Sequence, residues 1–166
     1  MAAREPEQSA TQSVLERLID RDIGSNSDAP ATHAQSVRQL RLSLRRDLEW
    51  LLNTRRTPDP AAVSFKELSK SVFNYGLPDV TSLSYDNESD RVRLLRLLES
   101  TIATFEPRLT RVKVTALEIA RGAMHVLRFQ IEGMLEMDPE PEHISFDTVL
   151  QLANGQYEVK GDIGAG

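Results

Sequence analysis

The sequence predicts an α+β fold, with N-terminal helices packed on a small, mostly antiparallel C-terminal sheet. Three observations carry this. Before Pro107 apolar residues recur at spacings of three and four, the helical period. After Pro107 the period becomes two, as in half-buried strands. Near the end, Asn154-Gly155 separates two alternating runs, a strong short hairpin signal because both residues accept positive φ. Helices followed by strands read as helices covering one face of a sheet.

Taken in order, residues 1–12 are polar and read as a flexible tail, residues 13–160 as one domain, and residues 161–166 as a second flexible tail. Ser13 with Glu16 forms a capping box for a short helix whose apolar face is Val14, Leu15, Leu18 and Ile19. Gly24 to Pro30 has the composition of a linker. A second helix carries the stripe Val37, Leu40, Leu44, Leu48 and Leu51, with Arg38, Arg41, Arg45 and Arg46 mostly off it, and ends near Asn53. Trp50, the single tryptophan, is assigned to the core beside Leu48, Leu51 and Leu52. Residues 58–85 read as loop, with one helical turn around Phe65 to Leu68 and a turn at Gly76-Leu77-Pro78-Asp79. Asp86 or Asn87 caps a third helix whose buried face is Val92, Leu95, Leu98, Ile102 and Phe105. Pro107 stops it, lacking an N–H and clashing with the preceding turn. Strands follow around Val112 and Val114, His125 to Ile131, Ile144 to Thr148 and Gln156 to Lys160, with the strand before Asn154 ending near Leu152.

Composition narrows the function. The 166 residues are 40% hydrophobic and 27% charged, ordinary globular values, with a net charge of -5. A pI near 5.3 argues against general nucleic-acid binding, which needs excess Lys and Arg. There is no cysteine, so no disulfide or thiolate metal site. No run approaches the roughly 20 apolar residues that span a bilayer, and the polar N-terminus lacks a signal-peptide core. The expected location is cytoplasmic.

Catalytic signals are weak. Neither the phosphate-binding G-x-x-x-x-G-K-[ST] pattern nor G-x-G-x-x-G occurs. His33, placed in the linker, His125, in a strand, and His143, just before a strand, lack metal-ligand spacing. Glu140 and Glu142 stand among Pro139 and Pro141, where solvated charge is the ordinary outcome. No catalytic, cofactor or metal site is expected. The arginine-rich helix reads as a solvated face, or as a surface for an acidic protein partner. Glu106-Pro107-Arg108 is more specific: a rigid proline corner holds a carboxylate and a guanidinium in fixed directions. That arrangement serves either a salt bridge within the domain or a contact between subunits.

Several segments together resemble one family. They are Ser13 to Leu18, Arg45-Arg46-Asp47-Leu48-Glu49-Trp50-Leu51-Leu52-Asn53-Thr54-Arg55, Ser71 to Asp79, Phe105-Glu106-Pro107-Arg108-Leu109, and Ile144 to Thr148. The pattern is similar to the TssE family of type VI secretion baseplate subunits and, more broadly, to the phage baseplate wedge proteins that initiate contractile sheaths. The resemblance implies a structural protein, not an enzyme, docked at the cytoplasmic side of the inner membrane. Implied partners are wedge subunits of the TssF, TssG and TssK type and sheath subunits of the TssB and TssC type, with no nucleic acid and no membrane insertion. It assigns Glu106, Pro107 and Arg108 to gripping the wedge, with Glu106 and Arg108 expected to act mainly between subunits. Sheath docking is expected by strand addition near the last hairpin, with Tyr157 and Val159 at the edge or bracing it, and the chain is expected to receive strands rather than lend them. Some phage relatives carry a lysozyme label, so a peptidoglycan hydrolase stays open as an alternative, as does a small soluble adaptor.

Overall fold

The computed structural model describes residues 33–58, 65–80, 83–84, 87–117, 126–137, 140–151 and 155–161. The capping box at Ser13, the linker, both tails beyond residue 161 and before residue 33, His125 and Asn154 lie outside the described residues.

Helix α1 runs His33–Asn53. Leu40, Leu44, Leu48, Leu51 and Leu52 are buried and Val37 is half-buried, so the leucine stripe faces the core. The helix begins earlier than the sequence suggests: His33 lies in it rather than in a linker. It ends where expected, and Thr54 closes it by donating from both its N–H (3.0 Å) and its hydroxyl (2.7 Å) to the Trp50 carbonyl. The chain then pairs briefly in parallel with a distant segment, Arg56 N–H donating to Leu77 O and Leu77 N–H to Thr54 O, each at 2.8 Å. Gly76 makes this approach possible: its φ is +102°, and a Cβ there would run into the Thr54 carbonyl.

The expected single helical turn exists as α2, Lys66–Ser69, followed by a 3₁₀ turn at Val72–Asn74 that Ser71 caps through Phe73 N–H. Helix α3 spans Glu88–Phe105. Asn87 is its N-cap, accepting from Ser89 N–H at 2.9 Å, and Glu88 and Asp90 place negative charge in its first turn, where the helix dipole favours it. It stops at Phe105, one residue before Glu106 and two before Pro107. Its buried residues are Leu94, Leu98, Thr101 and Ile102, while Leu95 and Phe105 are half-buried. Val92, assigned to the buried face, is 40% exposed. At 3.6 residues per turn it lies about 120° round the helix from Leu98, off the face that meets the sheet.

Four antiparallel strands form one meander in the order β1-β2-β3-β4. They are Leu109–Ala116, Val126–Leu135, Glu142–Gln151 and Gln156–Val159. Alternation holds on the inner strands: Leu127, Phe129, Ile131 and Leu135 on β2, and Ile144, Phe146, Thr148 and Leu150 on β3, are buried. On β1 it breaks. Leu109 and Val114 are both buried although they stand five positions apart, an odd offset that strict alternation would place on opposite faces. A bulge between Thr110 and Lys113, with Arg111 at φ +52°, supplies the extra residue that resets the pleat. The last hairpin is wider than a two-residue turn. Gln151 pairs with Gln156, so β3 ends one residue before Leu152, and Gly155 supplies the positive φ (+68°) while donating to Gln151 O at 2.8 Å. His143 lies inside β3 rather than before it. Helix α3 packs on β1 and α1 on β4, and the leucines of both helices join the inward residues of the sheet in one core.

Candidate functional site

Where α3 meets β1, the Glu106-Pro107-Arg108 corner forms a closed polar cluster. Glu106 is 5% exposed, its N–H still bonded to Ile102 O at 2.8 Å as the helix's last turn. The Arg108 guanidinium grips it with a fork: Nε donates to Oε1 at 2.6 Å and Nη2 to Oε2 at 2.5 Å. Nη2 also reaches Asp47 Oδ2 on α1 at 2.7 Å, and Nη1 lies 3.4 Å from the buried Ser43 hydroxyl. Arg108 thus ties the helix–strand joint to the middle of α1. Its proton is held more firmly than usual: the Glu106 hydrogen bond raises its pKa, burial works against this, and the charges of Glu106 and Asp47 add to the rise. Pro107 stands exposed at the apex. Of the two uses the sequence left open for this pair, the structure shows the internal salt bridge.

Aromatic side chains lie near the cluster. Asp47 also accepts from Arg46 (3.1 Å), whose guanidinium lies 5.0 Å from the centre of the Trp50 ring. Tyr75 stacks edge-on against Phe105 at 5.4 Å, and its hydroxyl pKa is raised, first by burial and then by the charges of Asp47 and Glu106. A few residues before Tyr75, Val72 is 87% exposed and Phe73 48%, and Phe65 and Leu68 are exposed on α2. The sequence places one helical turn around Phe65 to Leu68 within a loop; the signal for this exposed apolar surface is the Phe65-x-x-Leu68 spacing followed by Val72-Phe73.

Trp50 does not belong to the core: it is 54% exposed. Two residues beyond Leu48, it lies about 200° round the helix, on the opposite face. Trp50→Ala is therefore expected to cost less than about 1 kcal/mol, the scale of an exposed cation–π contact. Chemical denaturation followed by circular dichroism measures this.

The arginine-rich face of α1 is largely engaged within the chain. Arg41 pairs with Glu142 on β3 at 2.5 Å, Arg45 Nε donates to Val159 O at 2.8 Å, and Arg46 holds Asp47. Glu142, one of the two carboxylates weighed for hydrolysis, is thereby taken up in an ion pair. Among the described residues no group of three His, Asp or Glu is placed to hold a metal ion, and no helix is long and apolar enough to cross a membrane.

Tyr157 and Val159 are both buried, with their side chains in the core. Lys160 N–H donates to Asp147 O at 2.7 Å, and from this register the N–H and C=O groups of Tyr157 and Val159 point away from β3. Helix α1 meets them there. Asn53 accepts from Tyr157 N–H at 2.9 Å and donates to Tyr157 O at 2.8 Å, and Arg45 takes Val159 O. These bonds brace the last strand and occupy its outer edge at both backbone groups of Tyr157 and at the Val159 carbonyl.

Comparison with curated proteins gives no match. Among solved structures, one chain titled "The baseplate complex from the type VI secretion system" is similar at 27% identity with a TM-score of 0.46, over 69% of this chain and 96% of that one. The family model described as baseplate wedge protein gp25 matches residues 38–140, from the second turn of α1 through α3, the proline corner and the first two strands to the threshold of β3. That match spans more than half of the sequence, and the chain belongs to the baseplate wedge protein gp25 family.

Proposed function

We propose that this protein is a structural, non-enzymatic baseplate subunit of a type VI secretion machine, one that joins the wedge complex and starts the contractile sheath by accepting a strand. The observation that carries this reading is the open meander: four antiparallel strands end in two edge strands instead of closing into a barrel, and an edge is a template for pairing with another chain. Family membership supplies the baseplate context. Wedge subunits of the TssF, TssG and TssK type meet the proline corner, where the Glu106–Arg108 fork holds Pro107 rigid at the surface and Trp50, Val72 and Phe73 offer apolar contact. Sheath subunits of the TssB and TssC type pair with the sheet. The assembly works at the cytoplasmic face of the inner membrane.

Copurification of the tagged full chain tests this. Wedge and sheath subunits are expected together, and Val72→Asp with Phe73→Asp is expected to lose the wedge subunits while the protein stays folded. Recovery of a single unrelated partner, or clearing of cell-wall suspensions by the purified protein, overturns the proposal.

A further inference from the structure

The two edges of the sheet are not equivalent. On β4 every outward backbone group of Tyr157, and the carbonyl of Val159, is bonded to a side chain of α1. The Asn53 carboxamide offers one acceptor and one donor at the spacing of a peptide group, so it occupies the place a partner strand would take. Glu158 and Lys160 on this edge lie within 3.9 Å of each other and offset each other's charge. The edge is latched.

The β1 edge differs. Leu117 N–H donates to Arg128 O at 2.9 Å, which fixes the register so that Val114 and Ala116 turn their N–H and C=O groups away from β2. Helix α3 takes one of these: Glu99 Oε1 accepts from Val114 N–H at 2.8 Å. Among the described residues nothing bonds the Val114 carbonyl or either outward group of Ala116, which is exposed. The strand also carries charge. Arg111 and Lys113 are exposed and make no ion pair among the described residues, although Lys113 has Glu132 opposite it on β2. Cationic side chains on an edge repel a second copy of the same strand and favour one bearing carboxylates.

From this we infer that the incoming strand adds to β1, beside Val114 and Ala116, and that it is an extended segment with acidic residues facing Arg111 and Lys113, while Asn53 and Arg45 keep β4 closed. The inference rests on the reading that a strand joins this sheet at all, and the two can be tested apart. Amide exchange on the free full-length protein tests the latch without any partner. Tyr157 N–H is expected to exchange slowly, and several-fold faster in Asn53→Ala, while Ala116 N–H exchanges freely in both. Protection of Ala116 equal to that of Tyr157 overturns the assignment of the open edge.

Imaging then tests use, counting fluorescent sheaths per baseplate focus for variants that fold and enter baseplates. Ala116→Pro removes an outward donor without touching the β1–β2 ladder, and Arg111→Glu with Lys113→Glu reverses the edge charge. Ala116→Pro is expected to weaken docking roughly 2- to 12-fold, the value of one net hydrogen bond, and the charge reversal is expected to weaken it as well. Asn53→Ala is expected to leave sheath number unchanged. If the β1 variants are silent and Asn53→Ala raises sheath number, β4 is the receiving edge and this inference fails while strand addition stands. If all three are silent, strand addition itself fails.

Discussion

Leu48→Ala is expected to destabilise the protein by about 2–5 kcal/mol, the range for truncating a leucine at a site that cannot collapse. Leu48 is fully buried in α1, among the leucines that face the sheet. Its neighbours on the stripe, Leu44 and Leu51, are also buried and anchored by their own helix, so they have little room to close over the lost methyl groups. Urea unfolding followed by circular dichroism measures the change, and Leu42→Ala is the control: Leu42 is 48% exposed on the same helix and is expected to move the midpoint little. Equal small losses at both positions would mean that the stripe packs loosely.

Arg108→Ala is the second large effect. It strips the fork from Glu106, a carboxylate at 5% exposure, and removes the tie to Asp47. Leaving one member of a buried ion pair without its partner costs roughly 3–5 kcal/mol when both are fully desolvated. The Arg108 side chain is 23% exposed, so the loss is expected at the lower end of that range. Arg108→Lys is expected to recover only part of it, because an ammonium cannot make the two parallel bonds of the fork. Replacing Glu106 with glutamine alongside Arg108→Ala removes the stranded charge and is expected to restore part of the stability. If the double variant is no better than Arg108→Ala alone, the stranded carboxylate is not the source of the cost.

Both predictions touch α1, yet only the first was legible in the sequence. The Leu40–Leu51 stripe is a local pattern, and any surface that buries it must take the same face. The Arg108 tie to α1 has no local signature, because Asp47 lies 61 residues away along the chain. The corner's residues allowed a salt bridge or a subunit contact, and the resemblance favoured the contact between subunits; in the structure the two side chains pair with each other. Trp50 was misplaced for a different reason: its large apolar ring suggested burial, while its angular position on α1, available from counting residues, put it on the outer face. Tyr157 and Val159 were expected at the sheet edge or bracing it, and both lie on β4, the last strand of the sheet. That the outward groups of Tyr157 are already occupied depends on Asn53, 104 residues earlier.

The amino-acid sequence by itself determined the succession of helices and strands, the end of α1 at Asn53, a cap at Asp86 or Asn87, the stop before Pro107 and the inward residues of β2 and β3. All of these follow from interactions within a few residues: helical or strand period, side-chain bonds to the nearest free N–H groups, and the missing proline N–H. Tertiary structure alone decided which row of α3 meets the sheet, and that Gly76 lets the Leu77 segment lie against Thr54. It alone placed Arg108 beside Asp47 and Asn53 against the backbone of β4. Each of these joins groups far apart in the chain, and their geometry exists only once α1 and α3 have settled on one face of the sheet.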